Sequence, residues 1–589
     1  MMIRDTLHAA VGAAISAAQA AGALPAFDVP TFVIERPRQP EMGDYAASVA
    51  MQLARAARMA PPKIAAAIAQ HIPPSDDYAV EVVAGYVNFR LTHAHLNGRI
   101  GDVIAQDARW GDIDLGSGAA AQVEHGSANP TGYATVGTGR NVVVGDTLAN
   151  TLEAAGYAVH REWYINDRGA QIVRFGASLY THYCAVFGVD VPLPPKGYPG
   201  DDVVAVAQEI AAREGDRLLA LPKDEACRFL GDAGVALMMA RIRSTLDRVG
   251  VRFDNFFSEN SMHTSGLAER MLEELRARGC IREHDGAVWF SEDGSPIRAG
   301  QGVKRDDYAD DEDAADDDDG APKAVQAVML RSPRIAPDPL DRATYFFSDV
   351  PYLWNKLVER RFHPAVYVWG EDHQADVPRL HAAARALGLD ENAMRILIYR
   401  FITIMRGGVE VRMGKRAGNA IWLDDVIDEV GRDAVRFTLL SRSIDTKIIF
   451  DLDLLKEQSD KNPVYYVQYG HARIASIFRN AQTELGEAAV VAGMAAHGCN
   501  LQHPSELALA RKLLELPEIV SLVAVTLQPH HYTVYAYALC SAFSRFYDDC
   551  RILKQPEAVL FSRLRLARAA QLTLARVLHL MGMDAPEKM

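Results

Sequence analysis

The chain has 589 residues, 49% of them apolar, a formal charge of −14 and six cysteines. That length exceeds what one core organises, so several domains are expected. No apolar run approaches the roughly 18 to 20 residues of a membrane span, and the longest, near 519–527, is about half that. Cys184, Cys227, Cys280, Cys499, Cys540 and Cys550 lack paired spacing, which argues against a disulfide framework or a cysteine zinc site and fits a reducing cytoplasm. The charge is concentrated: ten acidic residues fall in 306–319, and the rest of the chain carries −4. Such a self-repelling stretch buries nothing and reads as a solvated loop.

In chain order, the alanine-rich opening over 7–24 follows Asp5 and includes His8 where an export leader is basic, so it reads as an amphipathic domain helix. Residues 1–105 run helix, helix, short strand. They carry Glu35-Arg36-Pro37, Gly43-Asp44-Tyr45 and Ala84-Gly85-Tyr86-Val87-Asn88-Phe89, with an alternating strand over 83–91. From 118 to 454, apolar strand runs alternate with helical stretches, the pattern of a doubly wound α/β domain whose ligands gather at the carboxyl ends of parallel strands.

Its first loop, Ser127-Ala128-Asn129-Pro130-Thr131-Gly132-Tyr133-Ala134-Thr135, opens a helix over 136–154. Gly137 and Gly139 there would let the backbone approach a phosphate, which the unpaired amides and dipole of a helix start attract. A strand over 157–165 ends in Asn166-Asp167-Arg168-Gly169-Ala170-Gln171. Helices over 175–275 read as an insertion, and Gly250-Val251-Arg252-Phe253-Asp254 returns the chain to the sheet.

Pro333, Pro337 and Pro339 make 332–340 an extended segment. It precedes Thr344-Tyr345-Phe346-Phe347-Ser348-Asp349-Val350-Pro351-Tyr352. Next come a strand ending in Gly370-Glu371-Asp372-His373 and the basic tract Arg412-Met413-Gly414-Lys415. Residues 455–589 are helical in pattern. Leu566, Ala570, Thr573, Val577 and Leu580 lie on one face of the last helix, and Asn462-Pro463-Val464-Tyr465-Tyr466-Val467-Gln468-Tyr469 opens the region.

Taken in this order, these segments resemble the arginyl-tRNA synthetases, a class I aminoacyl-tRNA synthetase family. The family's Tyr-Ile-Asn-Asp-x-Gly-x-Gln, Thr-Tyr-x-x-x-Asp-x-Ala-Tyr and Lys-Met-Ser-Lys elements all have counterparts. The departures lie in the His-x-Gly-His element, whose histidine positions are here Thr135 and Thr138, in the Lys-Met-Ser-Lys element, which reads Arg412-Met413-Gly414-Lys415, and in the family's Gly-Pro-Gly-Phe-Ile-Asn-Phe turn, shortened here to Ala84-Gly85-Tyr86-Val87-Asn88-Phe89.

The resemblance implies a Rossmann-like catalytic domain over 118–454, a small α+β N-terminal domain over 1–105 that contacts tRNA, and an all-α anticodon-binding domain over 455–589. It places ATP on Thr135, Gly137, Thr138, Gly139, Met413 and Lys415, with Lys415 catalytic through the charge it brings to the leaving pyrophosphate. Arginine falls to Glu124, Ser127, Asn129, Tyr345, Asp349 and His373, since a planar guanidinium is best held by carboxylates and aromatic faces.

Asn88, Tyr466 and Tyr469 are the implied tRNA contacts, the tyrosines by stacking on unpaired bases. The implied activity is attachment of L-arginine to tRNA(Arg) through arginyl-adenylate by a cytoplasmic monomer, with Mg2+ arriving on ATP rather than in a dedicated protein site and no membrane partner. Threonine can donate a hydrogen bond but carries no charge, so a second reading is a non-ligating paralogue that binds tRNA or amino acid as adaptor or regulator.

Overall fold

In the N-terminal region, Leu7, Val11, Ala14, Ile15 and Ala18 form one buried stripe of the helix Ile3–Ala20, which packs on the helix Pro61–His71. The computed structural model describes residues 2–37, 39–298, 324–334, 342–411, 421–459 and 461–589. Met413, Lys415, the acidic segment 306–319 and most of the proline-rich segment lie outside the described residues.

The N-terminal helices cover an antiparallel sheet whose strands run in the order Ile34–Glu35, Tyr45–Ala47, Tyr86–Leu91, Tyr78–Val83. The alternating stretch 83–91 is therefore not one strand. Ala84 and Gly85, at φ +51° and +90°, make a two-residue hairpin turn of the kind that follows the twist of its strands.

The central region is built on a five-stranded sheet in the order Met394–Tyr399, Ala365–Gly370, Ala120–Glu124, Ala158–Ile165, Asn255–Ser258, parallel throughout. This is the doubly wound α/β class read from the alternation of apolar runs. The helix Val136–Ala154 is buried on nearly every side, because the sheet covers one face and the helices Arg432–Leu440 and Leu516–Thr526 cover others. It begins and ends where its sequence signals place it.

Helices Ala170–Val186, Asp201–Glu214 and Lys223–Val249 form the insertion, with a core of their own around Phe175, Leu179, Val206 and Leu230. A second, antiparallel sheet, Gln326–Leu330, Ala287–Ser291, Ile281–His284, is not legible in the motif order. From Pro463 to Leu580 the chain is a bundle of helices, and Leu566, Ala570, Thr573, Val577 and Leu580 are all buried along its last member, Glu557–Leu580.

The bundle docks on the N-terminal domain through polar as well as apolar contacts. Arg36 pairs with Glu518 at 2.9 Å and Arg511 with Asp44 at 2.7 Å, and just past that domain the Trp110 indole donates to the Leu513 carbonyl at 3.3 Å. No helix among the described residues is long and apolar enough to cross a membrane.

His125 lies directly beneath the first loop, stacked on Phe253 at 4.4 Å, with neither ring nitrogen in a hydrogen bond. Gly145 makes room for it, since a Cβ there would meet the ring at 2.2 Å. Burial, followed by the nearby Arg161 and Arg436 charges, lowers its pKa from 6.5 to about 3. The neutral ring is thus favoured by folding: its contribution is complete above pH 6.5 and is lost as pH falls from 6.5 toward 3. His125→Phe is expected to remove that loss, stabilising the protein relative to wild type by about 2 kcal/mol at pH 5 and little at pH 8. Thermal melts of both proteins at the two pH values check it.

Candidate active site: an acidic recess at the carboxyl end of the parallel sheet

Glu124 is the last residue of the central strand, and the loop that follows is pinned to the neighbouring strand's exit. The Ser127 hydroxyl donates to Glu124 Oε1 at 3.1 Å and accepts the Tyr164 amide at 3.2 Å, which holds Ser127 at an unusual φ of +29°. Asn129 Oδ1 accepts from Asn166 Nδ2 at 2.7 Å. Asn141, one turn into the helix, receives the Gly126 amide at 2.7 Å and donates to the Val368 carbonyl at 2.8 Å, joining loop, helix and strand Ala365–Gly370. Arg140 is buried and donates to the carbonyls of Arg400, Ser443, Ile444 and Thr446, so the start of this helix is fixed to the far side of the sheet.

The helix starts with Thr135 as its N-cap. The Thr135 hydroxyl accepts the Thr138 amide at 3.4 Å and lies 3.3 Å from the Thr138 hydroxyl. Gly137 faces open space, where an added Cβ would meet only Thr135 Oγ1, at 3.6 Å.

Gly139 corrects the reading of a two-glycine phosphate cradle. Its amide already donates to the Thr135 carbonyl at 2.9 Å, and a Cβ there would meet Leu423 at 2.9 Å. This glycine serves helix packing against Leu423, not approach to a phosphate. Gly139→Ala is expected to cost about 1 to 3 kcal/mol of stability by overpacking, measurable by denaturant unfolding.

Opposite the loop stands the helix Tyr345–Trp354, capped by the Thr344 hydroxyl accepting the Phe347 amide at 3.3 Å. Tyr345 and Asp349, four residues apart, share one face. Tyr345 sits at the rim, its hydroxyl accepting from Gln171 at 2.8 Å. Asp349 is half-buried, and no Lys or Arg among the described residues forms an ion pair with it. Desolvation, then repulsion from Asp376, Glu124 and Glu259, pushes its carboxyl well above the usual range, with His373 opposing.

Glu259 belongs to the same cluster. It accepts from the Ser348 hydroxyl at 2.6 Å, and burial raises its pKa to about 7. His373, half-exposed just beyond strand Ala365–Gly370, faces Asp376 at 3.2 Å. Burial lowers its pKa, but the Asp376 hydrogen bond and the charges of Asp372, Asp376 and Asp349 outweigh that and bring it to about 8. Carboxylates that crowd each other in this way, beside aromatic rings, accommodate a cation.

The floor of the recess was not legible in the motifs. Past Pro351 the helix widens into a π-type turn, Asn355–Glu359, a form that recurs at functional sites. This turn carries Lys356 into the interior at 0% exposure. Its ammonium pairs with Glu124 Oε2 and lies over the rings of Tyr352, at 4.1 Å, and Tyr367, at 3.6 Å. Tyr352 donates to Glu162 at 2.6 Å, and the same carboxylate takes Arg360 at 2.7 and 2.9 Å, Gln122 at 2.6 Å and Asn255 at 2.7 Å. A single lysine within Tyr352-Leu353-Trp354-Asn355-Lys356-Leu357-Val358 was the available signal.

Glu124, Ser127, Asp349 and His373 therefore converge, with Asn129 and Tyr345 tied to the 166–171 segment at the rim. Met413 and Lys415 lie outside the described residues. Just after that segment, Trp422 bridges to Thr135, and the Leu423 amide donates to the Ala134 carbonyl at 2.9 Å.

Asn88 is also corrected: at 2% exposure, in a strand paired on both edges, it is buried rather than presented to RNA, and neither of its amide atoms is bonded. Tyr469 is 46% exposed and stacks on Tyr465 at 5.9 Å, and Tyr466 lies 4.7 Å from the ring of Tyr537. A cleft of about 700 Å³ beside Arg432, Lys456, Tyr465 and Gln468 is lined by none of the recess residues.

A parallel sheet with a capped helix start and crowded carboxylates at its carboxyl end is the arrangement of a nucleotide-type α/β enzyme. The family model for the arginyl tRNA synthetase N terminal domain matches residues 5–91, and the DALR anticodon binding domain matches 467–589. The chain is 39% identical to the arginine–tRNA ligase of Heliobacterium modesticaldum, over 100% of this chain and 99% of that protein. It is also 39% identical to the arginine–tRNA ligase of Moorella thermoacetica, over 99% and 98%.

The fold matches the Thermus thermophilus arginyl-tRNA synthetase with a TM-score of 0.73 at 21% identity, covering 100% of both chains. The Plasmodium falciparum arginyl-tRNA synthetase matches at 0.71 and 16%, covering 100% and 99%. The chain belongs to the arginine–tRNA ligase family.

Proposed function

We propose that this chain attaches L-arginine to tRNA(Arg) in two steps: arginine and Mg-ATP form arginyl-adenylate and pyrophosphate, and the terminal ribose hydroxyl of the tRNA then attacks the adenylate carbonyl, takes the arginyl group and releases AMP. The observation that carries the reading is the carboxylate cluster of Asp349, Glu124 and Glu259, gathered around the end of the strand Ala120–Glu124, whose following loop leads into the helix start at Thr135. The guanidinium is met by Asp349 and Tyr345, with Glu124, Ser127, Asn129 and His373 bounding the rest of the amino acid.

No enzyme-bound covalent intermediate is needed, so the protein contributes position and charge. The helix start at Gly137, with the Thr135 and Thr138 hydroxyls, receives ATP phosphates, and Lys415 neutralises the departing pyrophosphate. Mg2+ enters with ATP as part of the substrate. Tyr466 and Tyr469 stack on anticodon bases. The protein works as a cytoplasmic monomer.

Arginylation of transcribed tRNA by the purified protein tests this, alongside the Thr135→His/Thr138→His variant. Charged tRNA from the wild type supports the ligase reading, and no product from either protein rejects it. A low-salt tRNA titration on the same samples separates an adaptor, which binds without charging, from a protein that binds no tRNA.

A further inference from the structure

We infer that Lys356 is a positioning residue for arginine, acting through Glu124; this deepens the ligase reading and rests on it. Burying an ammonium is costly, and desolvation pulls the Lys356 pKa down. The fold offsets this with the Glu124 carboxylate and two tyrosine faces. A methionine would fill the same space without that cost, so packing alone does not call for a charge.

The pair fixes Glu124. One oxygen is held by Lys356 and the other by the Ser127 hydroxyl, leaving the carboxylate a single orientation toward the recess. It also sets the charge that arriving arginine meets. Glu124 is among the groups that raise the Asp349 pKa, and Lys356 neutralises Glu124 from below, so Asp349 is the carboxylate left for the substrate cation. Without Lys356, two uncompensated carboxylates would compete for one guanidinium, and Glu124 would be free to swing toward it. The sequence Glu124, Lys356, Tyr352, Glu162, Arg360 then anchors the arrangement to the sheet.

The test is equilibrium dialysis of labelled arginine against wild type, Lys356→Met, Glu124→Gln and the double variant, with steady-state KM for arginine and for ATP. Lys356→Met is expected to weaken arginine binding about tenfold or more, raising KM for arginine while KM for ATP stays within about twofold. Because Lys356 acts through Glu124, the double variant is expected to bind arginine no worse than Glu124→Gln.

The double variant strands no buried charge, so it reports even where Lys356→Met does not fold; wild-type affinity in it overturns the inference. So does unchanged binding in Lys356→Met, losses that multiply in the double variant, or KM for ATP rising in step with KM for arginine. Wild-type protein that binds no arginine overturns the functional reading itself, and this inference with it.

Discussion

Replacing Thr135 and Thr138 together with histidine is expected to raise the rate of arginyl-adenylate formation by about 10²- to 10⁴-fold. Both positions stand at the mouth of the first helix turn, next to the open face of Gly137. A threonine hydroxyl there offers a neutral hydrogen bond to a phosphate oxygen, whereas an imidazolium adds a charge-assisted one worth roughly 1.5 to 3 kcal/mol. The substitution also removes a cap, which elsewhere costs about 1 kcal/mol. In this chain, however, a histidine already caps a helix, with His503 Nδ1 accepting the Ser505 amide at 3.3 Å, so the cap need not be lost. Single-turnover adenylate formation with saturating arginine and Mg-ATP measures the effect. No acceleration would mean that phosphate contact in this protein does not pass through these two positions.

Asp349→Asn is expected to raise the KM for arginine by about 10²- to 10³-fold, a loss of roughly 3 to 4 kcal/mol for a desolvated charge-assisted pair, while KM for ATP changes little. The pH dependence carries a further signature. Desolvation first, and then Asp376, Glu124 and Glu259, raise the Asp349 pKa against the opposing His373, so a fraction of the protein holds it protonated above the usual carboxylate range. A guanidinium favours the ionised form. Arginine affinity therefore increases as pH rises, and binding expels a proton. In Asp349→Asn that slope shrinks to what Glu259, at about 7, and His373, at about 8, contribute. KM for arginine measured between pH 6 and 8.5 in both proteins checks the sign.

Much of the architecture is local in origin and was legible as such. The helix Val136–Ala154 follows from loop chemistry running into an unbroken helical stretch, and the buried stripe from Leu566 to Leu580 follows from 3.6-residue periodicity. The convergence of Glu124, Asp349 and His373 was legible through motif order combined with the rule that ligands gather at the carboxyl ends of parallel strands.

What was missed depends on partners distant in the chain. Gly139 looks like a phosphate glycine until Leu423, nearly three hundred residues on, occupies the space its side chain would need. Asn88, a tRNA contact by resemblance, lies in an alternating stretch that shows only one apolar face until the N-terminal helices pack on its strand and bury it. Lys356 reads as a surface lysine until the π-type turn carries it under Tyr352 and Tyr367. The Ala84-Gly85 turn interrupts an alternation that periodicity alone carries straight through.

Isothermal titration of the wild-type protein with arginine and with citrulline, its neutral near-isostere, tests the cation-reading recess most directly. Arginine is expected to bind with a heat that varies with the ionisation enthalpy of the buffer, reporting the released proton, and citrulline to bind about 10²-fold more weakly or worse, a gap of roughly 3 kcal/mol. Equal affinity for the two, or no heat with arginine at all, would contradict a site organised around Asp349 and the Lys356–Glu124 pair.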